Sequence, residues 1–135
     1  MKDSLAKGLT TTRKIRVDRE RTIDFMGENA RVYATPMLVL DIERIARELL
    51  LEHLDAGEDS VGTRIEVDHL AATLMGMDVE LTVTVSEVKG RAVSLEIEGR
   101  DNVETICRGK HNRFVVGVDT TVARLAAKAQ KAGLA

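Results

Sequence analysis

The chain of 135 residues predicts an α+β fold: an antiparallel sheet packed on one long helix, with a second helix at the C-terminal end. Three observations carry this expectation. One long stretch, from Pro36 to Leu54, is apolar at helical spacing. Four later stretches alternate apolar and polar residues with period two and are joined by turn-like connections, the pattern of neighbouring antiparallel strands. Nothing repeats as a strand–helix–strand unit, which disfavours a dinucleotide-binding sheet.

Taken in order, residues 8–17 predict a first strand that ends in the alternation Ile15, Arg16, Val17. Residues 18–34 predict a short helix and a turn near Gly27-Glu28-Asn29. The long helix follows. Thr35 is placed to cap it and Pro36 to open it, because a proline in the first turn lacks only an N–H that would have no intrahelical partner. Leu38, Ile42, Ile45 and Leu49 form its apolar stripe, widened by Val39, Ala46 and Leu50. Arg44, Glu48 and Glu52 lie on the opposite face, and Asp55-Ala56-Gly57 closes the element.

The strands come next. Ile65, Val67, His69 and Ala71 share one face of a strand, against Arg64, Glu66 and Asp68. Val79, Leu81, Val83 and Val85 form the inward row of the following strand. Val88-Lys89-Gly90-Arg91 makes a turn, and Val93, Leu95 and Ile97 form the next inward row. A last strand covers 103–116, and an amphipathic helix over 119–131 carries Val122, Leu125, Ala126 and Ala129. The whole of 1–135 fits a single domain.

Composition narrows the function. With 44% hydrophobic and only 2% aromatic residues, the core must be aliphatic. A formal net charge of −2 supplies no basic field, and the scarcity of aromatics supplies no stacking platform, so nucleic acid is not an expected partner. No apolar run approaches the ~20 residues of a membrane span, and the N-terminal stretch lacks an apolar signal core; the expected location is cytoplasmic. The single cysteine, Cys107, excludes an internal disulfide and has no nearby partner that would make it a nucleophile. His53, His69 and His111 show no metal-ligand spacing.

Five residues stand out. Glu43 falls in the apolar arc of the long helix, among Val39, Leu40, Ala46 and Leu50, where a carboxylate is costly unless paired. It is either a surface partner of Arg47 or a carboxylate in a ligand pocket. His69 has the strand parity of core residues and is either a satisfied core histidine or a base, the latter if it faces the helix end that carries Glu43. Thr35 is explained by capping alone, yet a helix N-terminus also stabilises a developing oxyanion, and the hydroxyl can serve both roles. Gly62 is either a turn residue or a point where backbone approaches a ligand. Arg113 is either an exposed strand cation or an anchor for a phosphate or carboxylate.

The order and spacing of these residues resemble the hotdog-fold thioesterase family typified by fluoroacetyl-CoA thioesterase. Val32-Tyr33-Ala34-Thr35-Pro36 resembles the segment that carries the family's catalytic threonine, and Glu43 falls on its helix glutamate. Asp59-Ser60-Val61-Gly62-Thr63 resembles its glycine element, Val67-Asp68-His69-Leu70-Ala71-Ala72 carries the histidine, and Gly109-Lys110-His111-Asn112-Arg113 carries the arginine. The resemblance is strongest from Val32 to Phe114. It implies a hotdog fold and a homodimer, or a higher oligomer built from it, with the site at the subunit interface. It further implies hydrolysis of a small acyl-CoA by Thr35, Glu43 and His69 acting together, with Gly62 and Arg113 binding substrate. It implies no metal or redox cofactor. The segment between Thr22 and Val32 is shorter than the family's phenylalanine-containing lid and holds only Phe25, so fluoroacetyl selectivity does not follow. A hotdog enoyl-CoA hydratase and a non-catalytic acyl-CoA-binding protein are the rival readings.

Overall fold

The computed structural model describes residues 1–134. Strand β1 (Thr10–Arg16) leads to a 3₁₀ turn at Arg19–Arg21 and short β2 (Thr22–Ile23). A second 3₁₀ turn at Glu28–Ala30 precedes β3 (Val32–Tyr33), which pairs with β2. Helix α1 (Thr35–Leu51) follows, then β4 (Glu58–His69), β5 (Asp78–Lys89), β6 (Ala92–Arg100), β7 (Thr105–Gly117) and helix α2 (Val118–Lys131). The α+β order predicted above is the order observed.

The five long strands form one antiparallel sheet in the order β1-β5-β6-β7-β4. Its inner face is the pair of apolar rows that the alternation marks out. Val79, Leu81, Val83 and Val85 on β5 and Val93, Leu95 and Ile97 on β6 are at most 3% exposed. The stripe of α1 covers them: Leu38, Ile42, Ile45, Ala46, Leu49 and Leu50 are all buried. Burying one such Leu or Ile side chain contributes about 1.5–3 kcal/mol, so this helix–sheet contact dominates the stability of the fold.

Three boundaries differ from expectation. Helix α1 begins at Thr35 and ends at Leu51, with Ala34 in the capping position and no side chain capping it. Thr35 is therefore not the cap; its hydroxyl is bonded elsewhere, as described below. The segment 18–34 holds two 3₁₀ turns and a two-stranded ribbon instead of one short helix. Helix α2 packs none of its residues into the core, and Val122 and Leu125 stay exposed.

Two features of β4 position the candidate site. It is an edge strand, so one side of its backbone is unpaired within the chain. Its pairing with β7 shifts register between Gly62 and Arg64, a bulge that bends the strand over α1. No helix is long and apolar enough to cross a membrane among the described residues.

The helix–sheet contact yields a direct expectation. Ile42→Ala, at a position with no exposure, should lower unfolding free energy by about 2–5 kcal/mol in a urea titration. A loss below about 1 kcal/mol would show that α1 is not the keystone of the core.

Candidate functional site

The structure sorts the five sequence-marked residues into two groups at different points along α1. At the start of the helix, Thr35 Oγ1 lies 2.8 Å from His69 Nδ1, the last residue of β4. This bond explains why Thr35 does not cap. His69 Nε2 is buried and has no hydrogen-bond partner among the described residues, so one ring nitrogen is held and the other is free to meet a ligand. Burial also lowers the pKa of His69, favouring the neutral imidazole that a base requires. Tyr33 stands edge-on to the ring, with centroids 6.4 Å apart.

Thr35 and His69 line a cleft of about 490 Å³ together with Ile23, Phe25, Val32, Tyr33 and Leu70. Its walls are mostly apolar, and the helix start points its positive dipole end toward it. Another concavity, about 400 Å³, lies on the outer face of the sheet between Glu66, Asp68, Glu96, Glu98, Arg108 and Lys110. Charged side chains surround Ile97 there and no base–hydroxyl pair is present, so the more apolar Thr35–His69 cleft is the better ligand site.

The second group surrounds Glu43. Arg47 does not pair with it; Arg47 turns to Asp59, with Nη2 and Oδ2 2.7 Å apart. Glu43 is half-buried and has no ion pair among the described residues. A methyl group added at Gly62 would stand 2.3 Å from Glu43 Oε1, so any side chain there would push the carboxylate aside, and glycine lets β4 pass directly over it. Gly62 is thus a point of close approach and not a turn residue.

Arg113 lies beside this group and is only 4% exposed, which overturns its reading as an exposed strand cation. Its Nε donates to Ser60 Oγ and its Nη2 to the Ser60 carbonyl, each at 2.7 Å. Its Nη1 lies 3.1 Å from His111 Nε2. A guanidinium only donates, so His111 Nε2 must accept and His111 Nδ1–H must donate to the Arg64 carbonyl, 2.8 Å away. That fixes His111 as the neutral Nδ1–H tautomer. Burial first, and the Arg113 charge second, hold its pKa below the ordinary range. Glu43 and Asp59 act on Arg113 only at longer range, and no carboxylate forms an ion pair with its guanidinium among the described residues.

His69 therefore faces the Thr35 end of the helix and not the Glu43 end. Thr35 and Glu43 are separated by eight residues, roughly 12 Å along a helix axis. Gly62 and His69 are separated by seven residues, roughly 23 Å along a strand. A single chain holds the two halves apart.

Three further residues escaped the sequence reading. His111 and Ser60 were invisible because their role is to satisfy Arg113, and neither partner of that arginine is marked by spacing. Asp41 was hidden because it falls inside the apolar stripe of α1, and a carboxylate there announces itself only through its partners. Cys107 is buried, and burial pushes its thiol up to about 11, consistent with an inert side chain. Among the described residues, no group of three or more His, Cys, Asp or Glu side chains is arranged to hold a metal ion.

Comparison with known proteins matches residues 17–119 to the family described as fluoroacetyl-CoA-specific thioesterase. The fluoroacetyl-CoA thioesterase of Streptantibioticus cattleyicolor is 30% identical, over 95% of this chain and 97% of that protein. A crystal structure of a fluoroacetyl-CoA-specific thioesterase superposes with a TM-score of 0.85 at 30% identity, covering 94% of this chain and 99% of the other. A hot-dog-like protein from Thermanaerovibrio acidaminovorans gives 0.83 at 28% identity, covering 90% and 91%.

Buried His111 and partly buried His69 set an acid limit on stability. Both have folded-state pKa values below the ordinary 6.5, so below that pH the unfolded chain binds more protons than the folded one. Stability is then full above 6.5 and lost as pH falls through it. The urea midpoint should drop between pH 7.5 and 5.5, before most carboxylates titrate, and His111→Gln should flatten that drop. A midpoint that rises or stays level on acidification would contradict the assignment of neutral imidazoles.

Proposed function

We propose a small acyl-CoA as the substrate of this chain, which belongs to the fluoroacetyl-CoA-specific thioesterase family and is an acyl-CoA thioesterase. The observation that carries the site assignment is the Thr35 Oγ1–His69 Nδ1 contact of 2.8 Å at the wall of an apolar cleft. Thr35 steadies the imidazole and the neutral ring serves as base. The thioester carbonyl sits at the start of α1, where the helix dipole and the Thr35 hydroxyl stabilise negative charge developing on its oxygen.

Glu43 completes the site from a second copy of the chain. The support is geometric. β4 is an edge strand, and Val61, Gly62 and Thr63 are exposed on it. If it pairs antiparallel with the same strand of a second copy about a two-fold axis at Glu66, the residue taken up by the bulge after Gly62 lets His69 stand opposite the partner subunit's Gly62 on the same face. The carboxylate beneath that glycine then reaches the Thr35–His69 pair, with the arginine beside it available to the substrate. A homodimer with two shared sites follows.

In hydrolysis by water, His69 accepts the water proton as the oxygen bonds to the carbonyl carbon, the C–S bond breaks, and CoA leaves as a thiol bearing that proton. When the Glu43 carboxylate adds instead, the C–S bond breaks and CoA leaves as a thiolate that takes its proton from solvent. When Glu43 adds first, water then cleaves the resulting acyl-enzyme. A covalent acyl group on Glu43, detected by mass spectrometry under slow turnover, marks that second route. The cleft wall between Thr22 and Val32 supplies only Phe25 as an aromatic, and Phe25 is 83% exposed. Such a wall suits a short-chain acyl group without selecting fluorine.

Thiol release should be observed from one or more short acyl-CoAs. Glu43→Gln and His69→Ala should each lower kcat by roughly 10²–10⁴-fold with the fold intact by circular dichroism. Thiol release unchanged by both substitutions would remove the site. Saturable binding of acyl-CoA without thiol release would point to a binding protein instead.

A further inference from the structure

Asp41 is 1% exposed and lies within the apolar stripe of α1, three residues after Leu38 and four before Ile45. A carboxylate buried there is tolerated only if its charge is matched and its oxygens are filled. Both conditions are met by residues at the two ends of one segment. Arg21 grips it as a fork, Nε to Oδ2 at 3.0 Å and Nη2 to Oδ1 at 3.2 Å. The Tyr33 hydroxyl donates to Oδ2 as well. Arg21 immediately precedes Thr22, and Tyr33 immediately follows Val32. The intervening eleven residues, 22–32, supply Ile23, Phe25 and Val32 to the cleft. The backbone closes the same gap, because the Ala34 N–H donates to the Arg21 carbonyl at 2.9 Å. Tyr33, held by Asp41, is also the ring that stands edge-on to His69.

We propose that Asp41 is a positioning residue: one buried carboxylate fastens both feet of the cleft wall to α1 and so sets the wall's distance from Thr35 and His69. Its consequence is selectivity for acyl size. A segment pinned at both ends keeps Phe25 and Ile23 in register with the helix start, whereas one pinned at a single end swings over many conformations. Arg21 cannot replace this function through Asp18, which it also contacts at 3.0 Å, because Asp18 lies in the same segment of chain and not on α1. The acyl-size consequence rests on the thioesterase reading; the fastening itself does not.

Asp41→Asn keeps the size of the side chain but removes the charge and the full set of acceptors. Tyr33→Phe removes one hydrogen bond and leaves the ion pair. In the full chain, amide hydrogen exchange is followed over 22–32, with 36–50 of α1 as internal reference. The expected result for Asp41→Asn is exchange roughly tenfold or more faster in 22–32 with α1 unchanged, the fold-change that matches loss of one charge-assisted hydrogen bond. Tyr33→Phe should accelerate the same segment by a smaller factor. Alongside, the ratio of kcat/KM for butyryl-CoA over acetyl-CoA should shift about threefold or more in Asp41→Asn.

Exchange in 22–32 equal to wild type in both variants, or rising only in step with α1, would overturn the fastening. Faster exchange with an unchanged acyl ratio would overturn the selectivity. If Asp41→Asn does not fold, Tyr33→Phe decides alone by the same comparison. Absence of thiol release from the wild type would count against the thioesterase reading, while the exchange comparison would still decide the role of Asp41.

Discussion

The apolar stripe of α1 has to be buried on the inner face of a five-stranded sheet, and this contact constrains nearly everything else. It fixes the rotation of the helix about its axis. Once Leu38, Ile42, Ile45 and Leu49 face β5 and β6, the directions of the polar residues between them are no longer free. Thr35 is set at the helix start beside the end of β4, Glu43 under the bulge of β4, and Asp41 against the segment that precedes the helix. Thr35 and Asp41 then meet partners from different parts of the chain. The aliphatic core supplies the stability, and the helix carries the chemistry to three separate edges of it.

Two of those edges illustrate opposite solutions for a charge near a core. Asp41 is fully satisfied by Arg21 and Tyr33 and serves geometry. Glu43 has no ion pair among the described residues, and Gly62 presents no side chain to crowd it. Arg113 shows an intermediate case: Ser60 and a neutral His111 hold its guanidinium in place without neutralising it. An anion and a cation near one edge strand with no ion pair of their own are poor contributions to stability, which is the physical ground for proposing them as binding groups.

Much of this was legible in the sequence. Period-two rows gave the inner face of β5 and β6 residue by residue, and the helical stripe gave α1. Glu43 was conspicuous because it breaks that stripe, and the parity of His69 placed it correctly on the inward side of β4. The rest depended on contacts that spacing does not encode. Thr35 looked like a cap because a threonine before a proline satisfies the local rule, but a histidine thirty-four residues later claimed its hydroxyl. Arg113 could be an exposed cation or an anchor as far as spacing goes, and only the serine and histidine around it decide that it is buried. Asp41 was silent for the same reason. Residues 18–34 defeated the periodicity argument because their structure is set by the fastening at Arg21 and Tyr33 and not by any repeat of their own.

The central claim is that Thr35 and His69 of one chain act with the carboxylate of another. Co-expression of differently tagged Thr35→Ala and Glu43→Gln chains, with purification of the mixed species, tests it most directly. In a mixed dimer one site carries both substitutions and the other carries neither. The account predicts that each homogeneous variant is nearly inactive and that the mixed dimer recovers about half of the wild-type thiol release, the share of one intact site in two. Mixed dimers as inactive as the two parents would contradict a shared site and place the reaction within a single chain.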